Sequence, residues 1–171
     1  VGGCWADTAL YFAFKAGQKG RVYSFEFNST NLEIFELNIN LNSNLKQIIS
    51  LIKNPVSDIS GENVFYTEEG PGSKVIRDST KNTLPFATTI SIDDFVIENS
   101  IEKVDFIKMD IEGSELRALK GATATIRKFK PTLAIAIYHD ISDLNHIPRW
   151  IIDLNLGYKL YISHYTIHLE E

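Results

Sequence analysis

Short apolar runs alternate along this chain with stretches in which apolar residues recur at helical spacing, and that alternation predicts strands followed by helices. Residues 7–16 read as a short apolar helix, filled by Leu10, Phe12, Ala13 and Phe14. Asp7 or Thr8 can cap it and Gly17 ends it. Residues 21–27 read as a buried strand. Thr30-Asn31-Leu32-Glu33 then matches a Ser/Thr-x-x-Glu capping box, with Leu32, Phe35 and Ile39 as the helical stripe behind it. A third apolar run, 45–52, closes at Asn54-Pro55. From 60 to 89 the rhythm breaks, because Gly61, Gly70, Pro71, Gly72 and Pro85 punctuate short segments such as Asn63-Val64-Phe65-Tyr66. That punctuation predicts an antiparallel excursion beside the main sheet. A brief helix follows from 92, then a strand at 104–109, a helix at 114–128, a strand at 132–138, a helix at 147–154 and a last strand at 158–163. The order predicts an α/β fold: a mostly parallel central sheet with helices on both faces.

Composition narrows the classes without changing that picture. The chain has 171 residues, 44% hydrophobic and 23% charged, which fits one globular domain over 1–171. A net charge of -5 with scattered lysines and arginines argues against nucleic acid or an anionic membrane as partner. No apolar run approaches the roughly 20 residues that span a bilayer. A lone Cys4 excludes an intrachain disulfide framework and fits a reducing, cytoplasmic setting. Val1 reads as lying inside a strand, and the chain is expected to be a piece of a longer protein, cut within its first and last strands.

The polar residues at predicted strand ends carry the candidate chemistry. Gly2 and Gly3 stand between a strand and a helix, where a missing Cβ lets backbone approach a ligand and the helix N-terminus offers free N–H groups. Their pattern lacks the later glycines of G-x-G-x-x-G, which disfavours a nicotinamide-dependent oxidoreductase. Glu26 follows Gly3 by 23 residues, close to the spacing at which a second-strand acid grips ribose hydroxyls. Asp110, Glu112 and Glu115 cluster where a strand meets a helix, and open α/β sheets bind ligands at that edge. Such a cluster suits a cationic group, a divalent metal or a proton acceptor, while Glu115 also suits a helix first turn. His139 follows the 132–138 strand at the same edge and can serve as a general base. His146, His164 and His168 show no zinc-ligand spacing with Cys4, and no metal-ligand set is expected.

These residues resemble the FkbM family of S-adenosylmethionine-dependent methyltransferases, within the Rossmann-like class I methyltransferase fold. The strongest motif is Asp105-Phe106-Ile107-Lys108-Met109-Asp110-Ile111-Glu112-Gly113-Ser114-Glu115-Leu116, followed by Leu119-Lys120-Gly121-Ala122. Ser91-Ile92-Asp93-Asp94-Phe95 and Val22-Tyr23-Ser24-Phe25-Glu26-Phe27-Asn28 are similar to two further family segments. The resemblance implies S-adenosylmethionine as cofactor, with Gly2, Gly3 and Cys4 around its methionine part and Asp7 and Thr8 also among the cofactor-binding residues. Glu26 and Phe27 would lie at the ribose and Asn54 near adenine. Asp110, Ile111 and Glu112 would line the sulfonium and acceptor side, with Asp110 or His139 as catalytic base. It also implies methylation of a hydroxyl on a sugar or secondary metabolite, with acceptor loops at 60–89 and 139–148. Two departures stand out: a family Asp falls just before Val1, and a glycine of the first loop is Ala6 here. A catalytically silent, methyltransferase-like binding domain is the alternative reading.

Overall fold

The computed structural model describes residues 1–77 and 84–163. Two parallel strand pairs form its frame. Strand β1 (Val22–Phe25) pairs with β2 (Ile49–Ile52), Val22 opposite Ile49. Farther along the chain, β6 (Phe106–Met109) pairs with β7 (Thr132–Ile135), Phe106 opposite Thr132. The chain start links the pairs: Val1 N donates to Lys108 O at 2.8 Å and Gly3 N to Phe25 O at 2.9 Å. Between the pairs the chain makes the excursion that its glycines and prolines predict. Strands β3 (Asn63–Tyr66), β4 (Val75–Ile76) and β5 (Phe86–Thr88) form an antiparallel sheet in the order β4-β3-β5, with a 3₁₀ turn at Gly70–Gly72.

Helices α1 (Asp7–Ala16) and α2 (Ser29–Leu41) bury Ala9, Ala13, Phe35 and Ile39. Strand residues alternate between two apolar clusters, as the pleat requires. Val22, Ile49 and Leu51 pack with Ala6, Ala9, Phe35 and Ile39, whereas Phe25 and Ile52 join the larger core. That core draws on α4 (Ile92–Glu98), α5 (Glu115–Lys120), α6 (Thr123–Phe129) and α7 (Asp143–Asp153). Met109, Leu119, Ile126 and Ile147 are at most 1% exposed within it. Phe95 meets the rings of Tyr23 and Phe25 edge-on at 5.3 and 5.0 Å. Among the described residues no helix is long and apolar enough to cross a membrane.

Several element boundaries differ from the sequence expectation, each for an identifiable reason. β1 stops at Phe25 because the Glu26 carboxylate takes the next two backbone N–H groups itself. Helix α1 starts at a left-handed Ala6 with no side-chain cap, and the Asp7 carboxylate accepts from the Thr8 hydroxyl instead. The α2 cap is Asn28 rather than Thr30: its Oδ1 accepts from Asn31 N at 3.1 Å. Residues Ser43–Lys46 form a helical turn, α3, so β2 begins only at Ile49. The single helix expected at 114–128 is two, divided at Gly121-Ala122, where Asp93 caps the second through Ala124 N and Thr125 N. Helix α7 begins at Asp143 and runs through Pro148. No strand forms at 158–163, where Lys159 to Ser163 are exposed without a ladder neighbour among the described residues.

Candidate active site

The first loop is a tight backbone turn set against two strand ends. Gly2 has φ 79°, and a Cβ there would lie 2.0 Å from the Asp110 carbonyl oxygen. Only glycine permits that approach. A Cβ on Gly3 would meet Ser24 Oγ at 2.6 Å. Cys4 and Ala6 also hold positive φ, 44° and 71°, so the loop curls back before α1 begins. Burial pushes the Cys4 thiol above its ordinary pKa, keeping it protonated.

Glu26 stands where this loop meets β1. It is 7% exposed, and three backbone N–H groups point at its carboxylate. Oε2 accepts from Cys4 N, and Oε1 from Phe27 N and Asn28 N, all at 2.8 Å. A carboxylate offers about four acceptor positions, so roughly one remains on Oε2. From the other side the 3₁₀ turn closes in. Asn28 Nδ2 donates to Ser73 Oγ at 2.8 Å, and Asn31 Nδ2 to Gly70 O at 3.2 Å. The resulting cleft has a volume of about 290 Å³. Val1, Gly2, Cys4, Glu26 and Phe27 line it from the first loop and the end of β1, Asn54 from the end of β2, Gly70 and Ser73 from the excursion, and Lys108, Asp110, Ile111, Glu112 and Tyr138 from the ends of β6 and β7.

The β6 side of the cleft is acidic and built from three elements. Asp110 follows β6; its Oδ1 accepts from the Tyr138 hydroxyl at 2.7 Å, and Lys108 Nζ lies 3.5 Å from Oδ2. Desolvation of its hydroxyl, the Asp110 bond and the neighbouring acids push the phenol of the otherwise exposed Tyr138 far up, so it stays a proton donor. Glu112 sits at φ 56° beside Gly113 at φ 91°, a sharp turn into α5. Glu115, the first residue of α5, is fully buried and its Oε1 accepts from Ile111 N at 2.7 Å, which fixes that turn. His139, beyond β7, packs its ring among these acids with a side chain only 9% exposed. Its Nε2 lies 3.5 Å from both Asp110 Oδ1 and Glu112 Oε1, and its Nδ1 lies 3.0 Å from Glu115 Oε1. Neither nitrogen makes an aligned hydrogen bond among the described residues.

A family model, the Methyltransferase FkbM domain, matches residues 1–160. The chain belongs to the FkbM methyltransferase domain family. Among solved structures it is similar to Methyltransferase FkbM from Methylobacillus flagellatus KT, at 27% sequence identity and a TM-score of 0.72. The match covers 96% of this chain and 39% of that one, so the chain spans about two fifths of that protein's length. No curated protein matches the chain.

Within this FkbM domain the sequence-derived candidates fall into two groups. Gly2, Cys4, Glu26, Phe27, Asn54, Asp110, Ile111 and Glu112 all line one cleft. Gly3, Asp7 and Thr8 stand outside that lining: Gly3 is packed against Ser24 and Glu26, and Asp7 is exposed. His139 lies behind Asp110 and Glu112 rather than on the cleft wall. Sequence reasoning missed Tyr138, Lys108 and the Asn31–Gly70 contact. Tyr138 precedes His139 at a strand end, the one signal that pointed to it. The Asn31 contact joins elements 39 residues apart and leaves no local trace.

Proposed function

We propose that this FkbM domain binds S-adenosylmethionine in the cleft and methylates a hydroxyl group of a sugar or secondary metabolite. The observation that carries the reading is that one cleft gathers two different polar groups. Its β1 side holds a buried acid braced by the glycine loop, and its β6 side holds a Lys–Tyr–carboxylate cluster. At about 290 Å³ the cleft lies near the lower edge of small-ligand sites, and it is open to solvent. When bound, S-adenosylmethionine supplies a methyl group on a positively charged sulfur. The sheet is read here as Rossmann-like, with the cleft at the carboxyl ends of its parallel strands.

Each side of the cleft has a distinct task. Glu26 accepts one ribose hydroxyl on its free Oε2 position, because backbone N–H groups already occupy the others. The grip on ribose hydroxyls expected of this acid is thereby reduced to a single charge-assisted bond. Gly2, whose missing Cβ admits the Asp110 carbonyl, sets the first loop beside the cofactor's methionine end, and Asn54 stands by the base. On the acceptor side, Asp110, which lines the cleft, draws the proton from the attacking hydroxyl with His139 behind it, and the Tyr138 phenol orients the Asp110 carboxylate. The excursion around residues 70–75 forms part of the acceptor wall, which suits a small molecule or glycan.

Calorimetric titration with S-adenosylmethionine, S-adenosylhomocysteine and NAD tests the proposal. Micromolar binding of the first two and none of NAD is expected. Absence of heat with both sulfur compounds overturns it. Binding without methyl transfer to any of a panel of sugar and polyketide alcohols moves the reading to a silent binding domain.

A further inference from the structure

Asp110, Glu115 and His139 come from the end of β6, the start of α5 and the segment beyond β7, yet one ligand atom from each lies within 4.8 Å of the others. We propose that these three side chains hold a divalent cation of the Mn²⁺ class on the acceptor side of the cleft. Only the ion's role, and not its binding, rests on the methyl-transfer reading above.

Spacing is the first support. Two ligands bound at about 2.1 Å stand about 3.0 Å apart at a right angle and about 3.4 Å apart at a tetrahedral one. His139 Nδ1 lies 3.0 Å from Glu115 Oε1, a spacing within that range, while the 3.5 Å approach to Asp110 Oδ1 is made by the other nitrogen, Nε2, so Asp110 completes the set from within 4.8 Å. Unspent bonding capacity is the second, independent support. Glu115 is 0% exposed, and its Oε2 has no partner among the described residues. His139 is nine-tenths buried, and both its ring nitrogens are likewise without an aligned partner. Buried polar atoms are costly to leave unsatisfied.

Charge points the same way. Asp110, Glu112 and Glu115 bring three negative charges, against one lysine, Lys108, at 3.5 Å. The excess equals that of one dication. Two carboxylates and one imidazole form a set between hard and borderline, which suits Mn²⁺, with Zn²⁺ and Mg²⁺ as weaker matches of ligand type. Asp110 lines the cleft, so the ion sits at its wall. Its open positions would take one or two oxygens of a polyhydroxylated acceptor, and a metal-bound hydroxyl is the more readily deprotonated. With Asp110 and His139 engaged in holding the ion, the hydroxyl's proton would pass to Glu112, the cleft-lining carboxylate outside the ligand set.

Titration of the chelator-treated chain with MnCl₂ at neutral pH, followed by loss of the free-ion electron paramagnetic resonance signal, tests this. A single site with a dissociation constant below about 100 μM is expected. Asp110→Asn and His139→Gln should each weaken it at least tenfold while the far-ultraviolet circular dichroism spectrum stays unchanged. No binding by the unaltered chain up to about 1 mM, or binding that both variants leave unchanged, overturns the site. A parallel S-adenosylmethionine titration separates the two proposals. Mn²⁺ binding without cofactor binding sinks the methyl-transfer reading alone, and cofactor binding without Mn²⁺ binding sinks the metal site alone.

Discussion

Glu26 illustrates how one side chain serves the fold before it serves a ligand. Its carboxylate takes N–H groups from Cys4, Phe27 and Asn28 and so ties the glycine loop to the end of β1. A Gln at this position keeps one acceptor oxygen but turns an NH₂ toward backbone donors, leaving at least one buried N–H unsatisfied. Glu26→Gln should therefore cost about 1–3 kcal/mol of stability without any ligand, besides weakening S-adenosylmethionine binding. A solvated strand-end acid would change stability by less than about 0.5 kcal/mol. Thermal and urea unfolding of the ligand-free variant decide between them, and an unchanged midpoint removes the bracing role. Asp110 and Glu26 were legible as candidates because an acid ending an apolar run is poorly explained by packing. The contact between Glu115 and His139 was not, since it depends on how α5 and the segment after β7 come together.

At the scale of elements, the division between α5 and α6 is the instructive case. Residues 114–128 have continuous helical character, and only tertiary partners break them. Gly121 O accepts from Asp93 N at 2.8 Å, and the Asp93 carboxylate takes Ala124 N and Thr125 N at 2.9 and 2.7 Å. Gly121 also presses on the chain after β2, where a Cβ would come within 2.0 Å of Ser57 O. The Asp93 segment and the Gly121-Ala122 pair, separate motifs in the sequence, are thus one contact. Asp93→Ala should lose about 1–2 kcal/mol, the worth of a helix N-cap. Gly121→Ala should lose more, about 3 kcal/mol, because backbone rather than a flexible side chain must move. Urea unfolding of both variants tests the order, and a Gly121→Ala variant as stable as the unaltered chain contradicts it. Parallel pairs were legible because apolar runs signal buried strands whatever their partners. The helix break and the missing strand at 158–163 were not, because partners distant in sequence determine both.

For the whole molecule, the segment after β2 acts as the tie between its halves. Asp58 receives Arg117 Nη1 of α5 at 3.0 Å, and the Ser60 hydroxyl bonds to the Asp94 carboxylate of α4. Arg77 Nη2, from beyond β4, reaches Ser57 Oγ at 3.0 Å. Burial alone would raise the Asp58 pKa, but the Ser57 hydroxyl and the Arg117 guanidinium outweigh it and hold the carboxyl below its ordinary value. The Ser60 and Ser91 hydroxyls hold Asp94 below its ordinary value too. Both groups bind protons more weakly folded than unfolded, so their stabilisation is complete above the unfolded value of about 3.9. It is lost as pH falls from there through the lower folded values. Between pH 7 and about 5 these two acids should leave the melting temperature unchanged, and below about pH 4 they should steepen its fall. A double variant, Asp58→Asn with Asp94→Asn, starts less stable at neutral pH because the ion pair and the charge-assisted bonds are gone. It should lose less on further acidification, and its melting curve against pH should approach that of the unaltered chain as pH falls below about 4. Parallel acid limbs for the two proteins would show that these carboxylates do not hold the halves together.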